Sequence, residues 1–360
     1  MARHLLHVFS TFGVGGPQVR TTDLINHFGA KYRHSIIALD GNYECQKRIA
    51  PEIQVEFPKV TNPRGNPLKN AIYFRTVLKE LRPDVLLTYN WGAIEWGLAA
   101  AMAGGFPHYH WEEGFGSDEA GGQKLRRILA RRLFLTRARR VIVPSRSLQS
   151  VAVNVWKLPA AKVMYLANGV DLKKFSGGSK GQSQGIKVGT IARLRKEKNI
   201  SRLLVAFASI LKESTQPLTL IIAGDGPELE ALKEEARTLG ILEATRFLGH
   251  QSNPEAVMAE LDIFAISSDT EQMPISVLEA MAGSLPIVGT RVGDIAEMIS
   301  SQNLAFLSDP ADDASFAQNL ARLSEDFELR EKLGHANRQR CESLFDIKLM
   351  YEAYSKLYDY

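Results

Sequence analysis

Two glutamates, Glu271 and Glu279, stand eight positions apart around a loop that leads into a predicted helix. The loop contains Met273, Pro274 and Ile275, and a glycine, a proline and a short apolar strand follow the helix. In a doubly wound α/β sheet, this order places both carboxylates and the backbone N–H groups between them at the crevice outside the strand ends. Helix-start N–H groups favour phosphate, whereas carboxylates accept hydrogen bonds from sugar hydroxyls. Such a site suits a nucleotide sugar.

A second segment supplies positive charge. Arg193 and Lys198 lie five positions apart, between a predicted strand and a predicted helix. A guanidinium fork and an ammonium point charge in this setting can neutralise one diphosphate. The alternative is a solvated basic loop beside Glu197.

Glycine-rich turns follow several predicted strands. Because glycine has no Cβ, the backbone at such turns can approach a phosphate closely. The turns are Gly13–Pro17, Gly224–Glu228 and Phe247–His250. The first is a weak motif by itself, since glycine-rich turns after a first strand are widespread.

Together these motifs resemble the glutamate-x7-glutamate signature of retaining glycosyltransferases of family 4, the large sucrose-synthase and polysaccharide-assembly group. The resemblance extends nearly from end to end of the chain. It implies the α/β GT-B fold, in which two Rossmann-like, doubly wound domains face a central cleft and the final helix crosses back to the first domain. It also implies a UDP-sugar or GDP-sugar as donor, with no further cofactor and no metal.

The resemblance assigns roles to the two motifs. Arg193 and Lys198 match the pair that neutralises the leaving nucleotide diphosphate. Glu279 is expected to accept the ribose hydroxyls, and Glu271 to bind the sugar hydroxyls and the positive charge that develops on the sugar ring. The main chain also holds the diphosphate, at Met273, Pro274 and Ile275.

Other positions match the family less closely. Ala192 and Asn199 replace the glycines that usually accompany the two cations, which affects backbone fit more than charge. The turn with Gly15 and Gly16 is expected to close over the donor diphosphate. The turn with Gly226 is expected to line the nucleotide pocket, and the turn with His250 to hold the base. His250 is equally well explained as an incidental loop histidine.

The segment after the predicted strand His108–Trp111 carries further candidates. The family usually has a histidine here that approaches the donor sugar, and His110 is the match. Glu113 and Asp118, on the following loop, are candidates for binding acceptor hydroxyls. The alternative for His110 is a structural histidine at a strand end.

Residues 124–140 contain many cations and no acidic residue. Leu125, Ile128, Leu129 and Leu133 recur there at helical spacing. A basic amphipathic helix suits an anionic membrane surface. A helix packed on the sheet with a basic outer face explains the pattern equally well. No nucleic acid partner is expected, because no binding motif accompanies the cations.

Strands and helices are predicted to alternate along the chain, which indicates parallel, doubly wound sheets. The predicted strands of the first half are Leu5–Phe9, His34–Leu39, Val85–Tyr89, His108–Trp111 and Val141–Val143. Those of the second half are Lys187–Ile191, Leu218–Ala223, Ala244–Leu248, Ile263–Ile266, Ile287–Gly289 and Ala305–Leu307. The predicted helices include Gln18–Phe28, Arg202–Leu211, Glu228–Leu239 and Ser276–Ala282.

A polar stretch, Ser176–Gly185, is expected to link the two halves. We expect an N-terminal, acceptor-side domain of residues 1–172 together with a final helix at 344–360. The C-terminal domain, residues 173–343, is expected to bind the nucleotide sugar.

Bulk properties agree with this interpretation. At 360 residues the chain exceeds what one hydrophobic core usually serves. Its net charge of +4 is too small to indicate nucleic acid. Cys45 and Cys341 are in no metal-binding or CxxC spacing, which fits a reducing cytosol. No run of 18 apolar residues occurs, and the start is not a signal peptide. We therefore expect a cytoplasmic protein, soluble or peripheral on the cytoplasmic face of the inner membrane.

The expected activity is retaining transfer of a sugar to a saccharide acceptor, lipid-linked, in the synthesis of exopolysaccharide, capsule or lipopolysaccharide. One alternative is a nucleotide-sugar epimerase or hydrolase on the same fold. Another is a dinucleotide-dependent oxidoreductase, although the first turn lacks the Gly-x-Gly-x-x-Gly pattern. A non-catalytic assembly subunit is a further alternative.

Overall fold

The computed structural model describes residues 2–61, 66–115, 119, 122–175 and 185–359. They form two compact α/β units. The first comprises Met1–Ala167 and Tyr351–Tyr360, and the second comprises Asn168–Met350. The division falls at 167 rather than at the expected 172, and the final helix contributes to both units. The linker expected at Ser176–Gly185 lies, except for Gly185, outside the described residues.

The first unit contains a parallel sheet with the strand order β3-β2-β1-β4-β5-β6-β7. Its strands are β1 Arg3–Phe9, β2 Tyr32–Ala38, β3 Val55–Glu56, β4 Val85–Tyr89, β5 His108–Trp111, β6 Arg140–Val143 and β7 Val163–Tyr165. The two short edge strands, β3 and β7, were not predicted from the sequence. The central strands are buried because helices cover the sheet on both faces.

The second unit contains a parallel sheet with the order β10-β9-β8-β11-β12-β13. Its strands are β8 Ile186–Ile191, β9 Leu218–Ala223, β10 Thr245–Gly249, β11 Ile263–Ile266, β12 Ile287–Thr290 and β13 Leu307–Ser308. All the strands predicted for this half are found except the last, which was expected at Ala305–Leu307. That segment instead continues a 3-10 helix, Ser301–Phe306, and the strand begins at Leu307.

The described α-helices lie between the strands. In the first unit they are α1 Gly16–Phe28, α2 Pro67–Leu81, α3 Glu95–Ala103, α4 Leu125–Leu135 and α5 Arg146–Asn154. In the second unit they are α6 Ile200–Glu213, α7 Leu229–Thr238, α8 Pro254–Glu260, α9 Ile275–Ala282, α10 Ile295–Met298, α11 Asp313–Glu325 and α12 Phe327–Leu344. The final helix is α13, Ile347–Asp359. Among the described residues, no helix is both long and apolar enough to cross a membrane.

The C-terminal part of α13 packs into the first unit, as expected from the family resemblance. Trp111 Nε1 donates a hydrogen bond to Tyr354 Oη at 2.9 Å. The rings of His27 and Tyr351 stack with centroids 3.7 Å apart. These aromatic contacts tie the end of the chain to the first sheet.

In each sheet the order of the strands along the chain reverses at one point. The strand order reverses between β1 and β4 in the first unit and between β8 and β11 in the second. At such a point the loops leave neighbouring strands toward opposite faces and open a crevice at the carboxyl ends of the strands. Most of the predicted site residues lie after β1, β5, β8, β9, β10 or β11, so the fold places them toward these ends, whereas His110 lies within β5 itself.

Candidate functional site

A cavity of about 230 Å³ opens at the carboxyl ends of β8 and β11 in the second unit. Three segments line it: the turn after β8, the turn after β11, and the start of α9. The lining includes several of the predicted donor-binding residues, namely Arg193, Lys198, Glu271, Pro274 and Ile275. The structure thus brings together two motifs that are far apart in the sequence.

Lys198 and Glu271 form an ion pair in this cavity. Lys198 Nζ lies 2.6 Å from Glu271 Oε1, and the Ser268 hydroxyl donates to the same oxygen at 2.8 Å. Glu271 is the more enclosed partner, with 9% of its side chain exposed against 23% for Lys198. The cation predicted to bind phosphate therefore contacts the carboxylate predicted to bind sugar.

Arg193 gives the cavity its uncompensated charge. Its side chain is exposed and forms no hydrogen bond or ion pair with the described residues. Arg193 and Lys198 carry two positive charges against the one negative charge of Glu271. The cavity consequently retains a net positive charge that would attract an anion.

The start of α9 adds main-chain donors. No side chain caps this helix, so the N–H groups of Ile275 and Ser276 have no acceptor among the described residues. Pro274 has no N–H group, and the carbonyl oxygen of Met273 already accepts from Asn168 Nδ2 at 3.2 Å. The main-chain donors of this segment that reach the cavity are therefore those of Ile275 and Ser276, at the positive end of the helix.

Close backbone packing holds the loop before α9. Gly293 has φ +54°, and a Cβ there would lie 2.3 Å from the carbonyl oxygen of Glu271. Next to it, Asp294 N donates to Gln272 O at 2.9 Å. Met273 is buried beneath the loop. These contacts fix the main chain on which Glu271 stands.

Asn199 explains how the Lys198 loop forms without the usual glycine. Asn199 has φ +42° and ψ +52°, the left-handed conformation that asparagine tolerates better than most residues. Its side chain accepts from Arg202 N at 3.3 Å at the start of α6 and donates to Asp269 at 3.0 Å. Ser267 Oγ donates to the carbonyl oxygen of Lys198 at 3.1 Å. The loops after β8 and β11 are thereby joined.

The turn containing Gly226 supports the Arg193 loop from the other side. A Cβ at Gly226 would lie 2.2 Å from Leu194 O, and one at Gly224 would lie 1.8 Å from Ala192 O. Leu194 N donates to Asp225 O at 3.0 Å. Gly226 therefore serves close backbone packing in this structure. Its contact with the nucleotide stays a prediction.

Other predicted donor contacts, among them Met273, His250 and Glu279, do not line this cavity. His250 is an exposed residue in the turn after β10. Glu279 is half-buried on α9, near an ion pair in which Lys174 Nζ lies 3.4 Å from Glu255 Oε2. Burial raises the pKa of Glu279 to about 7. The positive charge of Lys174 lowers this pKa, and the negative charge of Glu255 raises it further.

In the first unit, Gly15 and Gly16 form the start of α1. Gly15 is the N-cap residue, with an extended backbone at φ −167°, and Gly16 and Pro17 begin the helix. A Cβ on Gly15 would lie 2.8 Å from Gln18 Oε1. The Gln18 side chain therefore occupies the space beside Gly15 that a Cβ would fill. Its role over the donor stays a prediction.

His110 is fully buried in β5. Its Nδ1 lies 2.8 Å from Thr88 Oγ1, which also lies 2.7 Å from His108 Nε2. Its Nε2 lies 3.6 Å from Glu112 Oε2. With no exposed surface in this structure, His110 would need the surrounding loop to rearrange before it could contact a sugar, and its catalytic role stays a prediction.

Glu113 is held at the end of β5 by Arg20. The two side chains form a two-pronged ion pair, and 12% of the Glu113 side chain is exposed against 6% of that of Arg20. Burial alone would lower the pKa of Arg20, but the charge of Glu113 raises it overall. Asn90, with φ +57°, accepts from Glu113 N at 2.8 Å. Asp118, the other predicted acceptor contact, lies outside the described residues.

Two residues that contact predicted site residues were not identified from the sequence. Ser268 orients Glu271, and Arg20 orients Glu113. Polar residues directly after a buried strand would have indicated Ser268, whereas no local pattern marks Arg20, because it lies 93 residues from its partner. Among the described residues, no group of three histidine, cysteine or acidic side chains could hold a metal ion.

Two family descriptions match most of the chain. Residues 14–174 match Glycosyltransferase Family 4, and residues 174–340 match Glycosyl transferases group 1. Both sheets and the cavity described above lie largely within these matches.

Individual relatives are more distant. The chain is 29% identical over 218 residues to the N-acetyl-alpha-D-glucosaminyl L-malate synthase of Bacillus anthracis, covering 61% of this chain but 55% of the relative. It is 28% identical over 169 residues to the lipopolysaccharide core biosynthesis glycosyltransferase LpsD of Rhizobium meliloti, covering 47% of this chain and 48% of LpsD. The matched segments thus span about half the length of these two relatives.

A solved structure shares the fold along the whole chain. HepE of Anabaena, crystallised with UDP and glucose, superposes with a TM-score of 0.83 and covers 99% of both chains at 19% identity. The two parallel sheets with their flanking helices are therefore the GT-B fold predicted from the sequence.

Proposed function

Because this chain belongs to the family 4 glycosyltransferases, we propose that it transfers a sugar from a UDP-sugar or GDP-sugar to a saccharide acceptor with retention of configuration. The observation that carries the proposal is the cationic cavity of the second unit, in which Arg193, the Lys198–Glu271 pair and the first N–H groups of α9 converge. HepE, whose crystals contain UDP and glucose, has the same fold and supports a uridine nucleotide as the first donor to test.

The donor diphosphate binds where positive charge is uncompensated. Arg193 offers a guanidinium that has no partner among the described residues, and Ile275 and Ser276 offer main-chain N–H groups at a helix start. Lys198 joins them by exchanging its contact with Glu271 for a phosphate oxygen. These groups together neutralise the leaving diphosphate, so the proposed reaction requires no metal ion.

Glu271 binds the transferred sugar. Once Lys198 turns toward phosphate, the Glu271 carboxylate is free to accept sugar hydroxyls and to stabilise the positive charge on the ring in the transition state. Ser268 keeps one carboxylate oxygen oriented during this exchange. The Glu279 carboxylate accepts hydrogen bonds from the ribose hydroxyls.

The reaction takes place on one face of the sugar. The acceptor oxygen attacks C1 as the bond from C1 to the phosphate oxygen breaks, and the departing phosphate oxygen takes the acceptor proton. No side chain becomes covalently attached, so positioning and electrostatics supply the rate enhancement. His110 approaches the sugar after rearrangement of its loop, and Glu113 binds the acceptor.

The acceptor is a lipid-linked saccharide for a bacterial cell-surface polysaccharide, encountered at the cytoplasmic face of the membrane. The similarity to LpsD, named for lipopolysaccharide core biosynthesis, supports this class of acceptor. The basic helix within residues 124–140 supports the membrane location.

Arg193→Ala tests the diphosphate site. We expect kcat/KM to fall about a hundredfold, because charge-assisted hydrogen bonds to the leaving group are lost, while the melting temperature stays unchanged. The control is Arg195→Ala, since Arg195 is an exposed neighbour whose nearest acid, Glu197, lies 3.8 Å away. Near-normal turnover by the Arg193 variant would contradict the assignment.

The donor and the reaction class require separate measurements. A thermal-shift series with UDP, GDP, ADP and their sugars should identify one base by the largest increase in melting temperature. Incubation of that donor without acceptor should leave it intact. Formation of an isomer would instead indicate an epimerase, rapid hydrolysis a hydrolase, and loss of activity on chelation a metal requirement.

A further inference from the structure

Helix α4 presents its leucines to solvent. Leu125, Leu129 and Leu133 are 71%, 55% and 65% exposed, respectively. They recur every four residues, so they form one row about 12 Å long on a single face of the helix. Ile128, which the sequence pattern grouped with them, is only half-exposed and packs toward the core around Leu135.

The opposite face of α4 carries a buried arginine. Arg131 is 1% exposed, and its guanidinium lies 3.0 Å from Glu119 Oε2 and 3.3 Å from Glu112 Oε2. Its Cζ also lies 5.0 Å from the centre of the Trp156 ring. The helix therefore buries a paired charge beside Phe134 and Leu135, while a second apolar set, the leucine row, faces solvent.

The surroundings of the leucine row are cationic. Arg126, Arg132 and Arg137 are exposed, and their guanidinium groups form no hydrogen bond or ion pair with described residues. The sequence contains no acidic residue between Glu119 and Asp171. Apolar side chains with unpaired cations beside them match the apolar and anionic layers of a lipid surface.

We propose that the outer face of α4 and the turn after it, with Leu125, Leu129 and Leu133 inserted and Arg126, Arg132 and Arg137 at the headgroups, dock the protein on an anionic lipid bilayer. A second copy of the chain is a poorer occupant. Pairing this face with itself about a two-fold axis would bring arginines against arginines, which is repulsive. The inference rests on the proposed function, because it specifies how the enzyme meets a lipid-linked acceptor.

Co-sedimentation of the full chain with vesicles tests the proposal. The vesicles contain equal parts of phosphatidylcholine and phosphatidylglycerol, and no donor is present. The triple variant Leu125→Gln, Leu129→Gln, Leu133→Gln should bind at least about tenfold more weakly, because the inserted apolar area is lost. The triple variant Arg126→Gln, Arg132→Gln, Arg137→Gln should lose a similar factor through the electrostatic contribution.

Matched controls separate docking from general surface polarity. Val205→Gln with Leu349→Gln replaces apolar residues of the second unit that are 50% and 45% exposed, and it should leave vesicle binding unchanged. Since all the substituted side chains are exposed, melting temperatures should stay within a few degrees of the parent value. Vesicles of phosphatidylcholine alone should bind the parent protein at least about tenfold more weakly.

Three results would overturn the proposal. The leucine variant could bind vesicles as well as the parent does, or the parent could bind neutral and anionic vesicles equally. Sedimentation velocity could also show a dimer that dissociates in the leucine variant, which would identify a second copy as the occupant. Donor binding is measured by calorimetry on the same variants. Variants that lose vesicle binding but retain donor binding would support the proposal. A parent protein that binds vesicles but no nucleotide sugar would leave docking intact and refute the proposed function.

Discussion

In the proposed function, the Lys198–Glu271 pair links donor binding to sugar recognition at the level of single residues. In the absence of ligand, each charge compensates the other across 2.6 Å, and Ser268 restrains the carboxylate. A diphosphate can displace Glu271 from Lys198 only if it binds Lys198 more strongly. The Glu271 carboxylate then requires new hydrogen bonds, which the sugar hydroxyls can donate. A complete nucleotide sugar satisfies both groups, whereas a nucleotide alone leaves Glu271 without a partner. This favours the intact donor over its product.

Glu279 should make donor binding depend on pH. Its raised pKa of about 7 means that the carboxyl is largely protonated at pH 6 and ionised at pH 8. Because ribose hydroxyls donate to the ionised form, we expect the affinity for a nucleotide sugar, measured by calorimetry, to increase from pH 6 to pH 8. Glu279→Gln should bind more weakly at pH 8 and lose this dependence.

The same substitution should have an opposite effect on stability. A carboxyl whose folded pKa lies above its ordinary value of 4.5 destabilises the folded state as pH rises toward and beyond 7. Glu279→Gln should therefore raise the free energy of unfolding at pH 8 by at most about 3 kcal/mol and change it little at pH 4.5. Glu255→Gln is the control, because it removes a charge that raises the Glu279 pKa and should shift the midpoint of the pH dependence downward. A pH-independent affinity in the parent protein would refute the assignment.

The sequence motifs and the family resemblance predicted which residues would meet at the cavity but not how they are held. Arg193, Lys198 and Glu271 were each recognised, and each lines the cavity. Their arrangement depends on Asn199 and Ser267, which join loops about 70 residues apart, and on Ser268, which restrains Glu271 within its own loop. Hydrogen bonds of this kind leave no periodic pattern, so they become visible only after the chain is folded.

At the level of elements, α4 shows why an amphipathic pattern alone does not determine which face of a helix is buried. Burying the leucines and exposing Arg131 would satisfy the ordinary rule that apolar residues face the core. The structure instead exposes the leucines and buries Arg131, because the buried carboxylates of Glu112 and Glu119 form ion pairs with its guanidinium. The two acids lie on the preceding loop, outside the window in which helical periodicity is assessed.

Arg131→Met should show how strongly this arrangement depends on the buried charge. Removing the guanidinium leaves Glu112 and Glu119 with less compensation in the interior, and we expect a loss of about 3–5 kcal/mol in the free energy of unfolding in urea. Arg131 and Arg127 hold the pKa of Glu119 low against the effect of burial. Arg127 remains in the variant and keeps part of that compensation.

The control for this substitution is Arg132→Met, at the exposed neighbouring position, where the change should stay within about 0.5 kcal/mol. Adding Glu112→Gln and Glu119→Gln to Arg131→Met should recover part of the loss, because the uncompensated charges are then removed. Equal urea midpoints for the Arg131 and Arg132 variants would show that the ion-pair network contributes little.

The misplaced last strand has a similar explanation. A short apolar run at Ala305–Leu307 favours a strand, but Asn303 takes over the pairing with β12. Its Oδ1 accepts from Ile287 N at 2.9 Å, and its Nδ2 donates to Ile287 O at 2.6 Å. A side-chain amide thus replaces the strand at this edge, and the chain can form a 3-10 helix until Leu307.

For the whole molecule, the alternation of apolar strands and amphipathic helices predicted two parallel, doubly wound sheets, and the family resemblance predicted the GT-B fold. The short edge strands β3 and β7 were missed, because runs of two or three residues carry no periodic signal. Nor did the sequence indicate that the two units differ in their buried ionisable groups. The first unit buries His4, His7, His34, His108 and His110, whereas His250 and His335 of the second unit are exposed.

These buried histidines should make the first unit sensitive to acid. Burial lowers the pKa of His34 to about 4 and that of His108 to about 3, and it lowers the pKa of His7 well below its ordinary value. When the pH falls below about 6.5, the unfolded chain takes up protons that the folded unit does not. The free energy of unfolding should therefore fall with decreasing pH, by up to about 4 kcal/mol per pH unit if all three groups contribute.

Tryptophan fluorescence can follow this loss in the first unit alone, because Trp91, Trp96, Trp111 and Trp156 are the only tryptophans of the chain and all lie there. In urea titrations at pH 5, we expect the fluorescence midpoint to precede the main change in far-ultraviolet circular dichroism, whereas at pH 7.5 the two should lie closer together. His34→Gln should reduce the shift between the two pH values, and His335→Gln, at an exposed position of α12, should not. A fluorescence midpoint that is independent of pH would mean that the buried histidines accept protons without unfolding, and hence that water reaches the first sheet.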